Sequence, residues 1–196
     1  MHATHRIQDP EQLRAMAAPA RQRIIAGMEA LGVVSAPELA RHLGRSTESL
    51  YFHLRKLVAC GLVEDVGERR TRRRSERLYR LTAPKLRIAG DLADPDFRDA
   101  LGDACRTILR ATERDYCRAL DSPHARLQGQ ARNLSLQHYH VHLTPGDRRR
   151  LVQMLEEMTT FLLERNDPDR GTLHALTAVL APIASRTPPN QGYRDA

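Results

Sequence analysis

Five arginines fall within the six positions from Arg69 to Arg74. Like charges at that density repel one another, and a polyanion such as a phosphate backbone is the partner that matches both their charge and their planar donor fork. A second constellation is the alternation of His138, His140 and His142 in NLSLQHYHVHL. On a strand these imidazoles share one face, where positions i and i+2 can share a zinc ion. No nearby cysteine or carboxylate offers an obvious further ligand, and an exposed polar strand face explains the row as simply, so no cofactor or metal is expected. Cys60, Cys105 and Cys117 are odd in number and widely spaced, which outlines neither a disulfide framework nor a CxxC pair. Cys105 and Cys117 lie about 120° apart around a helix. They are read as buried thiols, with redox sensing as the alternative. The chain holds no P-loop, GxGxxG, GxSxG, HExxH or DxDxDG pattern and no convincing acid–base pair, so an enzyme is not expected.

The charge is unevenly placed. Residues 1–88 carry 17 basic and 9 acidic side chains, and residues 89–196 carry 14 and 15, so the whole excess of the +7 chain lies in the first half. That suits a polyanion-binding module joined to one that pairs subunits or senses a ligand. The length of 196 residues allows two small domains and excludes large barrel enzymes. With 41% hydrophobic and 28% charged residues the composition is that of a folded, soluble chain. The longest nearly apolar stretch, Ala175 to Ala184, is far short of the roughly 20 residues that span a bilayer. The opening MHATHRIQDPEQ lacks a secretory core, so a cytoplasmic location and no membrane partner are expected.

Helix signals are dense in the basic half. The Asp9-Pro10 pair opens a short helix with Leu13 and Met16, and Pro19 opens a longer one carrying Ile24, Ile25, Met28 and Leu31 as far as Gly32. Ser35 caps a third, with Leu39, Ala40 and Leu43 inward, ended by Gly44. Ser46 or Thr47 caps a fourth, where Leu50, Leu54, Leu57 and Val58 keep helical spacing until Gly61. Two helices across a tight glycine turn make a helix-turn-helix. Residues 62–66 and 77–81 alternate as paired strands, with the arginines at the tip between them. This order is that of a winged helix.

The run STESLYFHLRKLVACGLVE, followed by RLYRLT, resembles the winged-helix repressors of the ArsR type, whose recognition helix ends in a phrase like LYxHLRxLxxxGLV and whose wing ends in a Tyr-Arg-Leu strand. The resemblance covers residues 9 to 88. It implies a DNA-binding transcriptional repressor acting as a homodimer. The paired cysteines of the metal-sensing members would fall within Pro37 to Leu43, where PELARHL has none, so metal sensing of that kind is not implied.

On the fourth helix, Leu50, Leu57 and Val58 lie within about 60° of the Leu54 direction. Glu48, Ser49, Phe52, Arg55 and Lys56 lie opposite, and Arg45, Ser46 and Thr47 stand at the N-terminal end. These residues are expected to meet the major groove of double-stranded DNA: Arg45 or Arg55 suits guanine, the hydroxyls suit bases or phosphates, and Phe52 suits a thymine methyl. Phe52 also fits packing against the protein's own wing. Tyr51 and His53 flank the core direction and are read as partly buried. Arg70, Arg72, Arg73 and Arg74 are expected on backbone phosphates or in the minor groove.

In the second half, a helix from Asp96 to Leu120 carries Phe97, Leu101, Cys105, Ile108, Thr112 and Tyr116 on one apolar stripe, expected to pair two subunits. A strand over 133–143 follows, with Tyr139, Val141 and Leu143 opposite the histidines. Thr144 then caps a helix with Leu151, Met154, Leu155, Met158, Phe161 and Leu162 inward. Residues 172–183 fit helix or strand by spacing. Similarity to longer ArsR-like regulators favours strand, giving a strand-helix-strand domain that is the candidate site for an unknown small-molecule effector. The expected architecture is α+β, mainly helical. A winged helix spans residues 1–88, a dimerisation or effector domain 89–185 and a disordered tail 186–196. A winged-helix adaptor for other proteins, or a zinc- or redox-responsive sensor, is the alternative.

Overall fold

The computed structural model describes residues 3–70, 75–167 and 170–183. The expected tail over 186–196, and Arg72, Arg73 and Arg74, lie outside them. Capping decides where the helices of the first half begin. Asp9 accepts a hydrogen bond from the Glu11 N–H at 2.8 Å and opens α1 (Pro10–Met16). Helix α2 (Pro19–Leu31) starts on its proline and stops at Gly32, whose φ of 74° a residue with a Cβ rarely adopts. Helices α3 (Ala36–Leu43) and α4 (Thr47–Ala59) follow, capped by Ser35 and Ser46.

Two sheets complete the module. The first strand, β1 (Thr4–Ile7), is followed by β2 (Val34–Ser35), β3 (Val63–Arg70), β4 (Ser75–Leu81) and β5 (Lys85–Ile88). The wing is antiparallel in the order β2-β4-β3, with Val34 opposite Tyr79 and Val63 opposite Leu81. Its register shifts between Asp65 and Glu68, where Gly67 has a φ of 107°. Sequence periodicity gave no sign of β1 or β5, which pair in parallel with Ile7 opposite Ile88. Each is only four residues long, and the ladder joins segments some 80 positions apart, so neither strand has a local signature.

One core unites these elements. Ile7, Leu13, Ile24, Met28, Leu39, Leu54, Leu57 and Leu62 are all at or below 2% exposure, each worth about 1.5–3 kcal/mol of apolar burial. Helix α5 (Pro95–Leu120) enters the same core with Phe97, Ala100 and Ala104 and packs on α1. The Thr107 hydroxyl then donates to the Ala17 carbonyl at 2.7 Å. Phe97, at 1% exposure, is therefore held inside its own chain and unavailable to a subunit face, contrary to the expectation from the apolar stripe. Gly90 abuts its ring: a Cβ there would come within 2.1 Å of Phe97 Cε2. Gly90→Ala is expected to displace the ring and lower stability by about 1–3 kcal/mol. A urea midpoint equal to that of the unchanged protein would show that the ring yields freely.

Beyond Thr107 burial nearly ends. Leu134 is the only buried apolar side chain among the described residues after Ala104. The helix expected after Thr144 is present as α6 (Pro145–Arg165), with a Thr144–Asp147 capping box, but it buries no residue. Met154, Phe161 and Leu162, expected inward, are 51%, 58% and 45% exposed. The strands expected over 133–143 and 172–183 are not formed; both segments are irregular. A strand exists only against a ladder partner, and neither segment has one within the described residues.

Candidate nucleic-acid interface

The turn between α3 and α4 fixes the presentation of α4. Gly44, at φ 60°, ends α3 in the left-handed conformation, and the Arg45 N–H donates back to the Ala40 carbonyl at 2.9 Å. Ser46 accepts from the Ser49 N–H at 3.4 Å, and the Ser49 hydroxyl donates to the Ser46 carbonyl at 2.8 Å. Both hydroxyls thus shape the helix start first, and a DNA contact from either competes with that role. Leu50, Leu54 and Leu57 anchor α4 from below, so its opposite face stands clear.

That face is the one expected. Arg45, Ser46, Glu48, Ser49, Phe52, Arg55 and Lys56 are exposed and Thr47 is half-buried. Phe52 is 54% exposed and does not pack into the wing; its ring meets His53 edge-on at 5.4 Å, and Lys56 Nζ lies 5.9 Å from its centre. Tyr51 is 44% exposed rather than tucked in, and Val58, read as core, is 36% exposed at the helix edge. His53 is half-buried, and its Nδ1 has no hydrogen-bond partner among the described residues. Burial, with Arg21 nearby, pushes this imidazole below its ordinary value, which favours the neutral ring.

The arginines of the wing divide into two kinds. Along the strands, Arg80 pairs with Glu64, Arg77 reaches Asp65 at 3.4 Å, and Arg69 pairs with Glu38 of α3. These hold the hairpin in place. Arg70 is exposed at the outer end of β3. Arg45, Arg55 and Lys56, by contrast, form no ion pair with any described residue. Their charge remains available to an outside anion.

Glu38 joins the wing to the helix-turn-helix. Its carboxylate accepts from the Ser35 N–H at 2.8 Å while Ser35 Oγ accepts from the Glu38 N–H, closing a capping box. The Ser35 N–H, and then the Arg69 guanidinium, hold this carboxyl below its ordinary value of 4.5, outweighing its burial. A depressed carboxyl contributes stability above its unfolded value, which is lost as pH falls through the folded one. Glu38→Ala is expected to cost about 0.5–2 kcal/mol at pH 7. The gap from the parent should narrow in acid, as urea unfolding at the two pH values will show; a constant gap would remove the ionised carboxylate from the explanation.

Sequence reasoning missed a set of cations drawn together by the fold. Arg23 of α2 has its guanidinium pushed below the usual value by burial and by the charges of Arg45, Arg114 and Arg118. These come from three separate elements, so no short motif marks them. Elsewhere, His138 and His140 bring their Nε2 atoms to 3.2 Å, both exposed. Among the described residues no group of three or more His, Cys, Asp or Glu side chains is placed to hold a metal. Cys117 is exposed and Cys105 half-buried, so the reading of both as buried thiols fails for Cys117. Leu101, Cys105, Ile108, Thr112 and Tyr116 are all half-buried along α5.

Residues 16–66 match a family model described as a helix-turn-helix domain, about a quarter of the chain. No curated protein matches the chain. The matched residues run from the end of α1 into β3 and take in the whole of α3, the turn and α4. The chain therefore carries a helix-turn-helix DNA-binding domain, and no helix among its described residues is long and apolar enough to cross a membrane.

Proposed function

We propose that this chain is a sequence-specific, homodimeric transcriptional regulator of the ArsR-like type, acting as a repressor. The single observation that carries the reading is the open face of α4, where Arg45, Arg55 and Lys56 lack carboxylate partners among the described residues while the wing arginines Arg69, Arg77 and Arg80 are paired. A helix start offering free amides beside unpaired cations suits phosphates and base edges. The wing, with Arg70 and the adjoining Arg72, Arg73 and Arg74, would lie along the backbone or in the minor groove. Residues 89–185 would join two such modules, so that a pair of recognition helices meets successive major grooves, and would receive any small-molecule signal.

The test is retention of genomic fragments by the full chain at rising salt. One or a few fragments should stay bound after the bulk is released. Simultaneous release of all fragments would overturn sequence specificity, and no binding at low salt would overturn the DNA reading. Within the retained fragment, Arg55→Ala should cut specific affinity by about 5- to 150-fold, one base contact of about 1–3 kcal/mol, with little change on random duplex. An equal loss on both duplexes would assign Arg55 to a phosphate instead.

A further inference from the structure

Residues 133–143 and 172–183 contain no Lys, Arg, Asp or Glu, in a chain that is 28% charged. Soluble proteins protect exposed strand-forming segments with charge, and these have none. Leu136, Tyr139 and Val141 in the first, and Leu173 and Val179 in the second, are 62–77% exposed. Within 135–143 and 173–183 no backbone N–H or C=O bonds to another described residue's backbone. The surface area gives the scale of what is missing. The chain exposes 15306 Å², against roughly 9,400 Å² for a compact monomer of its mass. Allowing every undescribed residue its full unfolded-chain area, the excess is still roughly 2,500 Å². Two copies together would then hide roughly 5,000 Å², the upper end of the range for obligate dimers.

We propose that these two segments are docking strands for a second copy of this chain, pairing backbone to backbone across a twofold axis, so that the C-terminal half completes its fold only in the dimer. The inference rests on the homodimer in the proposed function and names the surface that makes it. A second copy brings the same unmet donors and acceptors and the same uncharged, apolar side chains, which makes the surface self-complementary, as an isologous contact requires. The paired strands would lie over the outer half of α5, because Thr177 Oγ1 already sits 2.6 Å from Thr112 Oγ1.

Hydrogen exchange of the full chain, run beside light scattering over a range of concentrations, tests this. The expected result is a two-chain mass with amides of both segments slowed about 100-fold, the protection vanishing on dilution together with the mass. Val141→Pro removes a donor from one strand and should halve the mass and release both segments, while α2 and α4 amides stay protected. If that chain aggregates, Val179→Pro is read in the same way. A dimer whose two segments exchange freely overturns the inference and leaves the homodimer standing on another surface. Protection in a single-chain species also overturns it. A single-chain mass at every concentration overturns both the inference and the homodimer. The salt series on genomic fragments reports separately on DNA binding.

Discussion

Glutamine at Arg70, Arg72, Arg73 and Arg74 together is expected to weaken binding to specific and random duplex alike, by about 10³-fold at 0.15 M salt, and to flatten the salt slope by nearly four units. Each phosphate contact releases roughly one counterion, so four lost contacts set both figures. Arg70 is exposed, and the carboxylate pairs of the wing, Arg69–Glu38 and Arg80–Glu64, remain to hold β3 and β4 in place. The effect should therefore appear in binding and not in the unfolding midpoint. Titration of both duplexes at several salt concentrations is the measurement; an unchanged slope would remove the wing tip from the interface. The contrast with Arg55→Ala is informative, since that change should alter the ratio of the two affinities and this one should not.

Phe97→Ala is expected to lower stability by about 3–5 kcal/mol, enough to bring the thermal midpoint down on the order of 15 °C. The ring is 1% exposed, abuts Gly90 and belongs to the core that holds α1 to α4. Were Phe97 a subunit contact, its removal would leave the midpoint of a dilute sample nearly untouched and weaken dimerisation instead. Calorimetry at low concentration separates the two. A loss of mass with no change in midpoint would return Phe97 to the subunit face.

The residues show why the first half was readable and the second was not. Ser35 and Glu38 stand three apart and close a capping box, Gly44 takes the left-handed turn, and Leu50, Leu54 and Leu57 repeat at helical spacing. All of these are local devices, so α1 to α4, the antiparallel wing and the exposed face of α4 follow from short windows of sequence. The β1–β5 ladder and the gathering of Arg23, Arg45, Arg114 and Arg118 depend on residues up to about ninety positions apart, which no window contains. In the second half the periodicity was real, since α6 forms where Thr144 and its apolar repeat place it. What periodicity does not carry is the identity of the opposing surface. Leu151 to Leu162 and the alternation in 133–143 describe faces, and within the described residues nothing buries them: Leu151, Leu155 and Met158 are no more than half-buried, and Tyr139, Val141 and Leu143 are exposed. The stripe on α5 erred for the converse reason: Phe97 is on the stripe, but Gly90 and α1 had already claimed it.

The hydroxyl of Thr107, fastened to the Ala17 carbonyl, is, among the described residues, the last hydrogen bond from α5 to the helix-turn-helix half of the chain. Thirteen residues of the rod continue past it to Leu120, a span of about 20 Å at 1.5 Å per residue. Such a cantilever magnifies angle into distance: a tilt of about 10° at its root carries the tip roughly 3.5 Å. In the proposed dimer, whatever grips the tip would set the stride between two reading heads, and a nudge too slight to disturb either head would suffice to put the pair out of step with the groove.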